Sequence, residues 1–597
     1  WIQSLTNLVT QRMGESSHRR LQENCQHAAQ VNERLLLELL QQNKDTTYGK
    51  DHDFASIENR NDFRRRHPLT HHEDYQRYLE RMEKGDTHVL FADDLRMFGV
   101  TSGTSGQKSL IPCTSRQRSV FFLDCICILF DTMTKQVWNT HSNLQKSCKL
   151  MYTPVYTTTT GGTRVGPNAS APGDNPTLLH LYTTDRDAWQ VTNDAHLLFL
   201  HVLYALLDRN LGILEANFAS GIFNFMECLD QHWEDLVSSV ETGTLPKWLD
   251  LTDELRQSLE SRLLPRPERA QQLRQIREEP QSTNSSTETT QTMPFARQVW
   301  PHLHTIMANE TGAFQIYGEK LRQEWIGQAD KNPHAIPIYS PVYAATEGMM
   351  GVNNDYHGQS FILQPTAMFF EFLPIESSFN DDQKDKNDKT TQEETLFMEQ
   401  LEIGKYYELV ITNLAGLCRY RFGDVIQCVG YEGEAPRVKV AYRKGQFLNA
   451  VQEQTSEEAF YTALSQTAKL DWKVQLQDYT TVEHFLRRTD RRPRYTVYVE
   501  LQTQDHEPMD KGATKTLSAH HMEQLDQRLG HVNQAYGKFR SKGRLERLDV
   551  CVVRPGTFRQ MRRAMIQDFQ VNPSQWKQPR GTRHPQLMAI LEQNTIG

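Results

Sequence analysis

The sequence predicts an α/β protein in two parts, a large N-terminal part of helices packed on mixed β-sheets and a smaller C-terminal α+β part. Three observations carry that prediction. Residues 1–90 follow helical apolar spacing. Short β-rich runs then succeed one another in the middle: AIPIYSPVYA, AMFFEFL, YYELVITN, VIQCVGY and RVKVAY. Residues 456–597 mix helical patterns with strands such as YTVYVEL and RLDVCVVR.

The elements follow in order. QVNERLLLELLQQN (30–43) repeats apolar residues at three-to-four spacing and ends before the turn-like KDTTYGKD. FRRRHP (63–68) reads as a solvated helix end; Pro68 stops that helix and HHEDYQRYLERM starts the next. Thr114 and Ser115 stand as N-caps before SVFFLDCICILFDTM, a buried helix. KLMYTPVYTTTT (149–160) is β-rich, and GGTRVGPNASAPGDNP (161–176) is a surface loop. Residues 187–264 read as helical, with HWEDLVSSVETG closing at Gly243. Residues 277–292 and 377–394 hold almost no apolar side chains and read as disordered insertions in surface loops.

Composition narrows the function classes. A hydrophobic fraction of 38% and a charged fraction of 23% over 597 residues suit a globular protein with polar loops. The net charge of -8 gives nothing that favours nucleic acid over small molecules as a partner. LLFLHVLYALL (197–207) is shorter than the roughly 20 residues a membrane-spanning helix needs, and His201 interrupts it. The nine cysteines form no CxxC pair; Cys125 and Cys127 read as small buried hydrophobes of a reducing compartment. His302 and His304 share the spacing of one strand face, with no third metal ligand beside them.

Four polar features remain. TSGTSGQKS (101–109) is not a Walker loop: Lys108 stands one place too far from Gly106, and the following Leu110-Ile111-Pro112 reads as a strand rather than a helix. It is either a plain polar hairpin or an anion nest built from backbone N–H groups and the hydroxyls of Ser102, Thr104 and Ser105. YAATEG (343–348) puts Thr346 and Glu347 at a sheet edge, where a hydroxyl and a carboxylate suit phosphate and Mg²⁺, or merely solvent. In LCRYRFGDVIQCVGY (417–431), Gly423-Asp424 reads as a turn between strands; Asp424 either caps its own backbone or accepts from two ribose hydroxyls. Lys577, in NPSQWKQPR, is by itself a surface lysine.

SGTSG, YAATE, YRFGDV and a late lysine, in that order, resemble the ANL adenylate-forming superfamily. More closely, the chain resembles the Gretchen Hagen family of acyl-acid amido synthetases. The likeness runs through TTYGKDHDFASI, PLTHHEDY, FASGIFNFMECLDQHWEDLVSSVETGTL, WPHLHTI, PTAMFFEFLP, VVRPGTF and QWKQPR. It implies a large adenylate-forming domain with a β-barrel-like part over 1–440 and a small mobile α+β domain over 441–597. The reaction it implies adenylates a small carboxylic acid with ATP and Mg²⁺, then transfers the acyl group to the amine of an amino acid. Carried over by position, Ser102, Thr104 and Ser105 hold the β- and γ-phosphates and Thr346 meets the α-phosphate. Glu347 holds Mg²⁺, Asp424 takes the ribose hydroxyls with Phe422 beside the nucleotide, and Lys577 is the catalytic cation of adenylation. Where plant members have a lysine in Asp-Lys-Thr, this chain has Gln454, which shifts the burden to Lys577 or Arg443 and leaves a non-catalytic binding or scaffold protein as the alternative. The expectation is a cytoplasmic monomer, or an endomembrane protein if a targeting segment precedes Trp1.

Overall fold

A computed structural model describes residues 2–101, 109–137, 144–168, 176–278, 293–375, 394–444, 448, 455–484, 493–503, 517–569, 571–582 and 584–596. Two compact units emerge. The larger comprises Trp1–Val100, Leu110–Phe422 and Gln427–Lys439; the smaller comprises Thr101–Ser109, Gly423–Ile426 and Val440–Gly597.

In the larger unit, helices Ile2–Gln26 and Ala28–Asn43 come first. The second buries Val31, Leu35, Leu36, Leu39 and Leu40, the stripe its spacing predicts. Asn32 on the same face is also buried, and its amide fixes the helix to the sheet behind it. It donates to the carbonyls of Pro365 and Met368 and accepts from the Phe370 N–H. Helix Arg60–Arg66 ends ahead of Pro68, as expected. The FFLDCICILF run is helical from Ser115 to Gln136, with one wider π turn over Phe122–Ile126. Cys125 and Cys127 lie buried in it.

Three sheets follow. Strands Ser147–Lys149, Ile213–Phe218, Thr305–Asn309 and Ile338–Tyr339 lie side by side in a parallel sheet. Helix Asp194–Leu207 is apolar nearly all round and buried along its length, His201 included. Strand Ile213–Phe218 corrects the reading of 187–264 as helical throughout. Six residues between two apolar helices are too few for period alone to separate a strand from a helix. KLMYTPVYTTTT is mostly irregular, contributing only its first residue to Ser147–Lys149 and the two-residue strand Thr157–Thr158. A seven-stranded sheet runs Phe369–Pro374, Tyr406–Thr412, Tyr420–Glu432, Ala435–Arg443, Phe361–Leu363, Gly348–Val352 and Val342–Ala345. A smaller sheet orders Ser109–Thr114, Leu95–Thr101, Arg164–Gly166 and Thr157–Thr158.

The smaller unit pairs Val474–His484 antiparallel with Arg494–Thr503, which pairs parallel with Asp549–Val553. Val482, Tyr498, Val553, Phe558, Met561, Leu587, Ile590 and Leu591 form a core between this sheet and helices Thr557–Phe569 and Pro585–Gln593. Most of the two insertions expected to be disordered, 279–292 and 376–393, lies outside the described residues. Among the described residues, no helix is long and apolar enough to cross a membrane.

Candidate active site

Thr346 and Glu347 occupy a two-residue turn. Strand Val342–Ala345 pairs antiparallel with Gly348–Val352, and Ala345 stands opposite Gly348. Gly348 has φ +141, which side chains rarely adopt, and a Cβ there would meet the Met368 methyl at 2.9 Å. A carboxylate at a strand end is ordinarily solvated, yet Glu347 is 3% exposed. Its backbone carbonyl accepts two side-chain amides, Gln117 Nε2 at 2.9 Å and Asn413 Nδ2 at 2.8 Å. Both lone pairs are thereby used, so the turn is held from two sides.

The strands flanking the Ser-Gly-Thr loop reach this turn. Leu95–Thr101 and Ser109–Thr114 are neighbours, as the hairpin reading requires. A Cβ on Gly99 would stand 2.4 Å from Thr346 Cγ2, so the bare glycine lets the threonine lie against the strand. Cys113 Sγ lies 4.0 Å from the Thr346 carbonyl, and burial pushes its thiol up to about 11, which keeps it protonated and inert. Thr114 caps the next helix in a capping box with Gln117. The Gln117 side chain therefore spans from the end of the hairpin, through Oε1, to the Glu347 carbonyl, through Nε2. Ser102, Thr104, Ser105 and Lys108 lie outside the described residues, as does Gln454.

The YRFGD segment corrects one expectation. Gly423-Asp424 is not a turn; a single strand runs unbroken from Tyr420 to Glu432. Gly423 takes φ +90 within it, a conformation glycine adopts without a Cβ clash, so the strand bends without ending. Phe422 is 3% exposed. Asp424, in the smaller unit, is buried and pairs at 3.3 Å with Arg443.

Lys577, also in the smaller unit, lies in an extended segment where Trp576, Gln578 and Arg580 are buried and Lys577 is exposed. The segment is fastened to strand Val474–His484. Thr480 Oγ1 donates to the Pro579 carbonyl at 2.7 Å, Thr481 N and Oγ1 donate to that of Arg580, and Thr582 N donates to the Thr481 carbonyl at 3.0 Å. The Arg580 guanidinium binds Asp478 and the Tyr479 carbonyl and lies 4.5 Å from the Tyr479 ring centroid. Glu457 faces Arg580 Nε at 3.9 Å; burial raises its pKa, and the charges of Arg580 and Lys577 pull it back down.

The model of the GH3 family N-terminal domain matches residues 17–330, more than half of the chain, and the central and C-terminal domain models match 361–443 and 458–586. The chain belongs to the GH3 family. A 4-substituted benzoates-glutamate ligase of Arabidopsis thaliana, GH3.12, is 26% identical over 97% of both chains. The indole-3-acetic acid-amido synthetase GH3.8 of Oryza sativa subsp. indica is 27% identical over 95% of this chain and 90% of its own. A GH3 domain-containing protein of Mus musculus is 28% identical over 66% of this chain and 65% of its own. The solved GH3.15 acyl acid amido synthetase superposes with a TM-score of 0.78 at 22% identity, covering 97% of this chain and 96% of that one, which shows the GH3 fold of a large N-terminal and a smaller C-terminal domain.

Phe422 and Asp424 fall within the GH3 central-domain match and Lys577 within the C-terminal one, while Thr346 and Glu347 lie between matched segments. Sequence reasoning missed Gly99, Gln117, Asn413 and Arg580. Gln117 left a signal, since Thr114-x-x-Gln117 is a capping box written in the sequence. Among the described residues, no three His, Cys, Asp or Glu gather into a metal cage. A buried carboxylate such as that of Glu347 nevertheless fits Mg²⁺, which keeps several waters and is commonly held by one or two carboxylates plus substrate phosphates.

Proposed function

We propose that this GH3 protein is an ATP-dependent acid–amine ligase. The observation that carries the proposal is likeness over 97% of both chains to a relative named as a benzoate–glutamate ligase. The site adds a Thr-Glu turn, its glutamate buried, held against the two strands that frame a Ser-Gly-Thr loop. In the first step a carboxylate oxygen attacks the α-phosphorus of ATP and pyrophosphate departs, leaving a mixed acyl–AMP anhydride. In the second, an amine attacks the acyl carbon; its lost proton goes to solvent and AMP leaves, forming the amide.

Each residue has a part suited to its chemistry. The hydroxyls of Ser102, Thr104 and Ser105, with their backbone N–H groups, hold the β- and γ-phosphates. Thr346 donates to the α-phosphate. Glu347 holds Mg²⁺, which when bound neutralises charge on the phosphate oxygens. Asp424, paired with Arg443, takes the ribose hydroxyls as a carboxylate acceptor, and Phe422 stands by the nucleotide. Lys577 supplies the cation that stabilises charge as the α-phosphorus is attacked. Arg443, which pairs with Asp424, and Lys577 are the cations that cover for Gln454. No relative described above supports the non-catalytic alternative.

The test is ATP–pyrophosphate exchange with a panel of small carboxylic acids, including benzoates, followed by amide formation with a panel of amino acids. Acid-dependent exchange that Lys577→Ala removes is the expected result. Absence of both exchange and calorimetric ATP binding across the panel would overturn the proposal.

A further inference from the structure

PLTHHEDY (68–75) is part of the family resemblance but has no role in the reaction as derived above. In the larger unit, it clamps the loop 413–419. The Tyr75 hydroxyl, fully buried, accepts from the Cys418 N–H at 2.8 Å and donates to the Cys418 carbonyl at 2.9 Å. Thr70 Oγ1 donates to the same carbonyl at 2.8 Å. The Thr70 backbone bonds on both sides of Tyr420, its N–H to the Arg419 carbonyl and its carbonyl from the Arg421 N–H, each at 2.9 Å. Two residues along is Phe422.

The other end of the loop is Asn413. Its Oδ1 accepts from the Ala415 and Leu417 N–H groups, both at 3.0 Å, and its Nδ2 donates to the Glu347 carbonyl. Between these ends the backbone is strained. Arg419 takes φ 45, the left-handed region that an arginine rarely enters, and is 2% exposed. It is kept there by Glu371 at 2.9 Å, by the carbonyls of Arg64 and His67, and by Thr412 Oγ1, which accepts its N–H. A strained residue persists only where its surroundings over-determine it, and such residues cluster at functional sites.

We propose that loop 413–419 is a positioning element shared by the Glu347 turn and the Phe422 strand, with Asn413 and Tyr75 as its positioning residues. One short, rigid loop then sets the Mg²⁺ carboxylate and the nucleotide-side aromatic in register, so both residues govern affinity for Mg·ATP rather than for the acid. This rests on the ligase reading above.

The experiment compares the full chain with Asn413→Ala, Tyr75→Phe and the double variant by pyrophosphate exchange. KM for ATP, KM for the acid and half-saturating Mg²⁺ are measured with thermal unfolding. Val240→Ala, a core truncation in helix Trp233–Thr242, controls for lost stability. Gln117 still serves the Glu347 carbonyl in Asn413→Ala, so the expected rise in KM for ATP is on the order of tenfold, with half-saturating Mg²⁺ rising and KM for the acid unchanged. Tyr75→Phe, which deletes one oxygen, raises KM for ATP less, and the double variant departs from additivity because both act through one loop. Equal movement of both KM values, or a loss of stability like that of Val240→Ala with KM for ATP unmoved, overturns the inference. If Asn413→Ala does not fold, Tyr75→Phe decides by the same criterion. A wild-type chain without exchange or ATP binding overturns the ligase reading and this inference together; neutral variants of an active chain overturn this inference alone.

Discussion

Gly99→Ala should disable adenylation while adding only one methyl group. The new Cβ would stand 2.4 Å from Thr346 Cγ2, at least about 1 Å inside the roughly 3.5–4.0 Å optimum for carbon pairs. Cys113 Sγ at 3.2 Å and Asn168 Cβ at 3.4 Å leave little room to turn the methyl elsewhere. Thr346 is also poorly placed to yield, because the Glu347 carbonyl next to it is held by Gln117 and Asn413. The turn or the strand must therefore move by most of 1 Å. Overpacking of this kind costs about 1–3 kcal/mol of stability, and a misplacement near 1 Å at a reacting group costs about 100-fold in rate. Pyrophosphate exchange read as kcat/KM, alongside thermal unfolding, separates the two effects. Thr346→Ser keeps the hydroxyl and removes the clashing methyl, so Gly99→Ala combined with Thr346→Ser should recover most of the lost rate. A Gly99→Ala protein that exchanges like wild type, or a double variant no better than the single one, refutes the reasoning.

Three further predictions follow from the same geometry. Lys577→Ala should lower exchange by about 100- to 1000-fold, the usual loss for one preorganised charge, while amide formation from a synthetic acyl-adenylate survives; equal loss in both assays would contradict an adenylation role. Arg580→Ala removes the guanidinium that pairs with the nearly buried Asp478 and should cost about 3–5 kcal/mol in denaturant unfolding. Arg580→Lys should recover little of this, since an ammonium cannot serve Asp478 and the Tyr479 carbonyl as a planar fork does. His201 is fully buried, with Nδ1 2.7 Å from Thr184 Oγ1 and Nε2 3.0 Å from the Met151 carbonyl, an arrangement the neutral ring satisfies. Burial lowers its pKa from 6.5 to about 4. Between those values the unfolded chain binds a proton that the folded chain refuses, so its contribution is complete above pH 6.5 and is lost as pH falls toward 4. The slope is about 1.4 kcal/mol per pH unit, and His201→Gln should flatten the denaturation midpoint over that range; an unchanged slope would count against it.

How far the site could be read from sequence depended on whether each constraint is local. The capping box Thr114-x-x-Gln117 closes within one helical turn, and Gly243 ends its helix with φ 71, so both are readable from neighbours alone. The strand Ser109–Thr114 was legible for the same reason, because Leu110-Ile111-Pro112 cannot begin a helix as a Walker loop demands. Gly423-Asp424 misled because the same glycine freedom that makes a turn also permits a bend inside a continuous strand. Only pairing with distant strands decides between them. Asn413 was invisible since its amide meets Glu347 66 residues away and has no spacing to betray it. Thr70 and Tyr75 reach Cys418 across 348 and 343 residues, at a contact no periodicity encodes. Local patterns thus locate groups that could touch a nucleotide, whereas long-range amide and hydroxyl bonds hold the backbone beneath those groups. That division predicts where substitutions should act: changes at Thr346 or Glu347 alter the chemistry directly, while changes at Gly99, Asn413 or Tyr75 act through geometry and should yield to compensating substitutions that restore it.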